Sequence, residues 1–284
     1  MLLKLETLQP TFSYKIRGAF NVVRRLLEDA AVAGPLITAS AGNHGRALAQ
    51  AAVASGLALT VYVSESAPRT KLNAIRALGV DLRTAPDYDD AERRAKEHAA
   101  AGGATFISPY SHPDVIAGAG TVGLEMLADR PDLDEIVVPM GGGGLISGIA
   151  IAAAGTARQV SITGVEVQAS QPFTQSRAAG RIVPIQVRPT LADGLAGNLD
   201  PDTVTFDIVE RYVDRIVTVD EGELRNAMRR IVERERLVVE GAGAVGVAAV
   251  LAGKVPTAGR RVAIVLSGAN VDSSVLGELL SLES

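Results

Sequence analysis

"EIVVPMGGGGLISGIAIAAA" occupies residues 135–154, and the fold turns on how it is read. After Glu135 its next five residues are apolar and carry adjacent valines, the pattern of a short buried strand. Leu145 to Ala154 carries no charge and reads as a buried helix, with the four glycines of 141–144 between. A strand that passes through glycine directly into a helix opens a parallel βα unit rather than a hairpin. Four consecutive glycines cost more chain entropy than a tight turn requires. Their use is clear where every N–H must converge on an anion, and a phosphate at the helix end is the natural guest. The other reading is a merely flexible turn. No G-K-[ST] follows, so this is not a P-loop, and Ile146 and Ser147 stand where a dinucleotide fingerprint would place its third glycine.

The same alternation runs outward from this stretch. Strands are predicted at 36–38, 59–63, 80–84, 105–107, 135–140, 160–167, 215–219 and 261–266. Helices are predicted at 43–55, 69–78, 87–101, 114–128, 144–154, 221–236, 243–252 and 271–281. Such spacing predicts an α/β protein with open, twisted, mostly parallel sheets and flanking helices. Residues 180–202 show neither periodicity and contain Pro184, Pro189 and Pro201, which marks an ordered loop of the kind that carries function.

Composition narrows the class. The chain has 284 residues, 47% of them hydrophobic, enough for one large domain or two small ones. Lys and Arg total 28 against 32 Asp and Glu, and no basic patch points to nucleic acid. The absence of cysteine excludes disulfides, cysteine zinc sites and thiol catalysis. "MLLKLETLQP" is broken by Lys4 and Glu6 and is no signal peptide. The uncharged run at 136–157 contains too short an apolar core to cross a bilayer. A soluble, cytoplasmic protein is expected.

Open α/β sheets bind ligands beyond the carboxyl ends of their strands. Besides the glycine run, three stretches stand there. "SAGNHG" at 40–45 brings Ser40, Asn43 and His44 to a strand-to-helix turn, either as a carboxylate or phosphate receptor or with Ser40 or Asn43 as a plain helix cap. "LSGAN" at 266–270 puts Ser267 at the end of the last strand, as a partner for a ring nitrogen or as a cap. "GAGAVG" at 241–246 has dinucleotide spacing, but only "LVV" precedes it and the next strand ends in Ser267 rather than an acid. Close packing of a Gly/Ala helix is the better reading. His44, His98 and His112 share no metal-ligand spacing, and Glu65, Asp193 and Glu240 form no obvious carboxylate pair. Lys15, in "TFSYKIRGA", is undecided from its neighbours. One lysine, a phosphate cradle, a polar loop with Asn43 and a terminal hydroxyl together suit pyridoxal phosphate.

At this point "LKLETLQPTFSYKIRGA", "TASAGNHGRALA", "PMGGGGLISG", "LADGLAG" and "LSGANVD" together resemble the serine/threonine dehydratases. These are pyridoxal-phosphate enzymes of the tryptophan-synthase-β class (fold type II), which also includes serine racemases. The resemblance covers essentially the whole chain. It implies that Lys15 is the Schiff-base lysine and the α-proton base, with Tyr14 beside the ring in a place usually held by phenylalanine. It implies Asn43 at the ring's 3′ oxygen, Gly141, Gly142, Gly143, Gly144 and Leu145 around the phosphate, and Ser267 at the pyridine nitrogen. Ser40, Ala41, Gly42, Asn43 and His44 would receive the substrate carboxylate, and Asp193 and Gly194 would line the substrate side.

The resemblance further implies a large cofactor-binding domain, 1–19 with 118–284, and a small mobile domain, 20–117, that carries the carboxylate loop. The implied reaction is elimination of water from a 2-amino-3-hydroxy acid, giving a 2-keto acid and ammonia. Racemisation, β-replacement and an inactive cofactor-binding scaffold are the alternatives. Ala41 stands where racemases place a second catalytic serine, which disfavours racemisation. Glu166 and Ser170 match two ligands of a divalent-ion site found in some members, but Pro172 replaces the third, and cation dependence, divalent or monovalent, is left open. The chain starts close to "LKLE", which suggests a short N-terminus, and it ends too soon after "LSGANVD" for a regulatory domain. A homo-oligomer, first of all a dimer, is expected.

Overall fold

The computed structural model describes residues 1–28, 34–65, 67, 69–156 and 159–281. Its strands are β1 (Leu2–Leu5), β2 (Leu36–Ala39), β3 (Leu59–Ser64), β4 (Asp81–Ala85), β5 (Thr105–Phe106), β6 (Glu135–Pro139), β7 (Ser161–Val167), β8 (Arg215–Val219) and β9 (Val262–Leu266). The helices begin with α1 (Lys15–Glu28), α2 (Asn43–Ala54), α3 (Arg69–Arg76), α4 (Tyr88–Ala100), α5 (Pro113–Asp129) and α6 (Gly144–Ala154). They continue with α7 (Pro172–Ala179), α8 (Thr205–Tyr212), α9 (Glu221–Arg230), α10 (Gly241–Leu251) and α11 (Ser273–Ser281). The predicted α/β architecture with parallel sheets is present. The sequence reading missed β1, α1, α7 and α8, and it ran α9 on through a π-helical turn at Ile231–Glu235.

The chain forms two compact units, Met1–Tyr14 with Ala119–Ser284, and Lys15–Gly118. In the larger unit the strand order is β1-β9-β6-β7-β8, and every pairing is parallel. Alternate residues serve opposite faces, as the two-residue period of a strand requires. Val137, Val262, Ile264 and Leu266 enter one apolar core with α9 and α10. Ile136, Val138, Ala263 and Val265 enter the other, where α6 packs. Helix α6 is apolar on all sides because it is buried nearly all round, which explains the uncharged run.

The smaller unit has the order β4-β3-β2-β5, again parallel throughout. Leu36, Leu59, Val61 and Val63 face a core shared with α1 and α2, whereas Ile37, Ala39 and Tyr62 face α4. Helix α4 starts sharply because the Asp87 carboxylate accepts from the Asp90 N–H, and α9 starts on a reciprocal Asp220–Glu223 capping box.

Candidate active site

In the larger unit the candidate residues gather at the carboxyl edge of the sheet. Gly143 precedes α6 in the left-handed region, at φ 85° and ψ −6°. A Cβ there would lie 2.6 Å from Phe173 Cζ and 3.0 Å from Thr205 Cβ, and one on Gly141 would lie 2.9 Å from Leu195 Cα. The loop is therefore walled by three distant segments, and no side chain fits. Thr205 Oγ1 donates to the Gly142 carbonyl at 2.9 Å, which fixes the loop's outer turn. The Ser147 N–H closes the first helical turn on the Gly143 carbonyl at 2.9 Å. The N–H groups before it have no partner inside the helix and carry its positive end, the kind of end that attracts an anion.

Strand β9 lies beside β6, with Val137 opposite Ile264, so the register carries the buried Ser267 level with Met140, just before the glycines. Residues 11–14 are strapped along this end. The Tyr14 N–H donates to the Ser267 carbonyl (3.0 Å), the Ala269 N–H to the Phe12 carbonyl (2.8 Å), and Asn270 Nδ2 to the Thr11 carbonyl (2.9 Å). Neither Ser267 nor Asn270 caps α11, which begins later. Burial, and secondarily the Glu240 carboxylate, raise the Tyr14 phenol well above its ordinary pKa, so it stays protonated. Asp193 and Gly194 are exposed in the 3₁₀ turn whose Leu195 walls Gly141.

In the smaller unit Lys15 is the first residue of α1, and its Nζ donates to the Pro109 carbonyl at 2.6 Å. The polar loop follows β2. Gly42 is the N-cap of α2 and no side chain caps it, so the plain capping role for Ser40 or Asn43 is not met. Ser40 Oγ instead accepts from the Gly42 N–H at 3.2 Å, inside the loop, and Asn43 is already helical. A Cβ on Gly45 would lie 2.0 Å from the Ser40 carbonyl oxygen, which makes glycine obligatory. Ser40, Ala41, Gly42 and Asn43 are half-buried, but His44 is only 2% exposed. Burial first, then the positive charge of Lys15, push the His44 imidazole down to about 3, against a smaller upward pull from the Ile107 backbone. His112 is also lowered, by burial, and its Nδ1 accepts from the Asp114 N–H at 3.2 Å.

The Glu166 carboxylate is already engaged within the fold: Oε1 accepts from the Phe173 N–H, and Oε2 from the Thr174 N–H and hydroxyl. The side chain of Ser170, whose backbone carbonyl would be the other ligand, is bonded to Gly197. Among the described residues no group of three acidic or histidine side chains could hold an ion. "GAGAVG" lies within α10, and "LVV" before it is not a strand. Its glycines serve contact: a Cβ on Gly241 would lie 2.2 Å from the Leu191 carbonyl oxygen, one on Gly243 2.7 Å from that of Gly268, and one on Gly246 2.6 Å from Ile264 Cγ2. Sequence reasoning missed the residues behind the loop, Phe173, Leu195 and Thr205, and the Pro109 carbonyl. Nothing local in the sequence marks them.

Residues 1–268 match the family described as pyridoxal-phosphate dependent enzyme. The chain belongs to that family. Pyridoxal phosphate is its cofactor, the glycine-walled helix end is of the kind that receives a phosphate, and the protein is a lyase-type enzyme of fold type II. The chain is 41% identical to the L-threonine ammonia-lyase of Thermotoga maritima over 98% of its own length and 69% of that protein's. The processed form of threonine deaminase isoform 2 from Solanum lycopersicum superposes with a TM-score of 0.89 at 31% identity, covering 99% of this chain and 83% of that one. Maize serine racemase gives 0.89 at 34% identity, covering 97% and 85%. These similarities support an elimination reaction on the cofactor. No helix among the described residues is long and apolar enough to cross a membrane.

Proposed function

We propose that this enzyme eliminates water from threonine, serine or a close 2-amino-3-hydroxy acid, releasing a 2-keto acid and ammonia. The observation that carries this reading is Ser267, a buried neutral hydroxyl residue at the end of β9, level with the glycine loop. A hydroxyl at the ring nitrogen does not hold that nitrogen protonated as a carboxylate would, which suits elimination over transamination. Similarity to an L-threonine ammonia-lyase supports the same reading. Ala41 offers no acid or base for a second proton transfer, which favours elimination over racemisation.

The bound cofactor supplies an electron sink for the negative charge that develops at the substrate α-carbon. Lys15 Nζ would be the amine that holds the cofactor and the base that takes the substrate α-proton. The Pro109 carbonyl orients that amine. The N–H groups of Gly141–Leu145 would hold the phosphate, Asn43 would bond the 3′ oxygen, and Tyr14 would lie beside the ring. The half-buried loop Ser40–Asn43 receives the substrate carboxylate, and His44 supports it from behind as a neutral ring. Asp193 and Gly194 line the substrate side.

The test is incubation of the cofactor-loaded enzyme with L-threonine and with L-serine, reading keto acid and ammonia. Production that Lys15→Ala abolishes is expected. Equal amounts of D- and L-serine without keto acid would instead identify a racemase, and product formed only with an added nucleophile would identify β-replacement.

A further inference from the structure

Glu166 stands in the middle of β7, fully buried, and no cationic side chain pairs with it among the described residues. Its carboxylate turns instead to the start of α7. Oε1 accepts from the Phe173 N–H at 2.8 Å, and Oε2 accepts from the Thr174 N–H at 3.0 Å and from Thr174 Oγ1 at 2.5 Å. Gln171, the residue at the cap position of α7, contributes no side-chain bond to the cap, and Pro172 has no N–H to offer. The helix is thus capped from a neighbouring strand, and its positive end is the counter-charge of the buried acid. Burial raises the Glu166 pKa, and the three bonds oppose that rise. Phe173, held by the first of these bonds, is itself fully buried and is the ring against which Gly143 closes.

We propose that Glu166 is a positioning residue for the phosphate loop: it fixes the first turn of α7, α7 sets Phe173 under Gly143, and the helix end replaces a divalent cation as the partner of this carboxylate. The inference rests on reading Gly141–Leu145 as the phosphate seat. It separates this chain from relatives that would use the same carboxylate as a metal ligand. A cation at Glu166 would compete with three hydrogen bonds that the carboxylate already accepts.

The test compares Glu166→Gln, Thr174→Val and Thr174→Ser with the unaltered protein. Dissociation constants for pyridoxal phosphate and for phosphate-free pyridoxal are measured by absorbance titration, and melting temperatures of the cofactor-free proteins are measured alongside. Glu166→Gln is expected to weaken pyridoxal phosphate about tenfold, the scale of a lost charge-assisted bond, and to leave pyridoxal unchanged. Thr174→Val follows in the same direction by a few-fold, and Thr174→Ser restores binding, so the answer survives if Glu166→Gln fails to fold. Equal loss for both ligands, or no loss for either, overturns the positioning role. Equal binding of the two ligands by the unaltered protein would instead overturn the phosphate-seat reading. Chelation and added magnesium or calcium are expected to move neither the melting temperature nor the affinity. A rise in melting temperature on adding either cation, abolished in Glu166→Gln, overturns the replacement of the ion.

Discussion

His44 is a histidine that the folded chain keeps uncharged, and that choice has a pH signature. In an unfolded chain the ring titrates near 6.5, but here burial and the charge of Lys15 lower it to about 3. Between those values the unfolded state holds a proton that the folded state refuses. Stability therefore carries the full contribution above about pH 6.5 and loses up to about 1.4 kcal/mol per pH unit as the pH falls toward 3. His112, lowered in the same direction, adds to the slope. Urea unfolding of the cofactor-free protein at about pH 8, 6 and 5 measures it, and His44→Gln should flatten the slope below about pH 6.5. An unchanged slope would mean that the folded ring accepts its proton. That "NHG" belonged to a site was legible in the sequence, because polar residues after a strand are conspicuous. That its histidine faces inward was not, since one residue of helical phase decides it.

At the scale of elements, glycine shows how one substitution takes opposite signs. Gly241 opens α10 against the Leu191 backbone, where a Cβ would sit 2.2 Å from a carbonyl oxygen that cannot swing aside. Gly241→Ala should destabilise by about 2–3 kcal/mol, in the range of overpacked cores. Gly277, inside α11, meets nothing within 4 Å. Gly277→Ala should stabilise by about 0.5–1 kcal/mol, because helix propensity improves and the unfolded chain loses freedom. Urea midpoints of the two variants should move to opposite sides of the parent, and a fall for both would show that α11 packs more closely than its open glycine indicates. The same glycines explain why the sequence carried a false dinucleotide signal. "GAGAVG" has the spacing but is needed for close approach of helix to loop and sheet, and spacing alone does not tell these uses apart. Strands rich in Val and Ile were legible nearly to the residue. "LLKL" was not, because it is short and broken by Lys4. Helix α7 was hidden because its cap, Glu166, comes from β7 rather than from its own first turn.

At the scale of the whole molecule, the sheet of the larger unit is divided between chemistry and support. Its carboxyl edge carries the glycine loop and Ser267, the part that motif order made readable. Its amino edge carries an ion cluster that no local pattern announces, because its members come from three strands and a loop. Glu135, fully buried at the first position of β6, bonds Arg215 Nη2 and Arg260 Nη1 at 2.5 Å each and accepts from Thr163 Oγ1 at 2.6 Å. Arg215 opens β8 and Thr163 lies in β7, so one carboxylate ties the start of three neighbouring strands. Glu135→Gln keeps the shape and leaves two arginines without their counter-charge, a loss of about 3 kcal/mol by the measure of broken buried pairs. The partial exposure of both arginines lets water recover some of it. Because the cluster lies at the opposite ends of these strands from the glycine loop, the change should lower the melting temperature while leaving the affinity for pyridoxal phosphate and the absorbance of the bound cofactor as they were. A matching fall in cofactor affinity would mean that strain passes along β6 to its carboxyl end, and that the two edges are not separable.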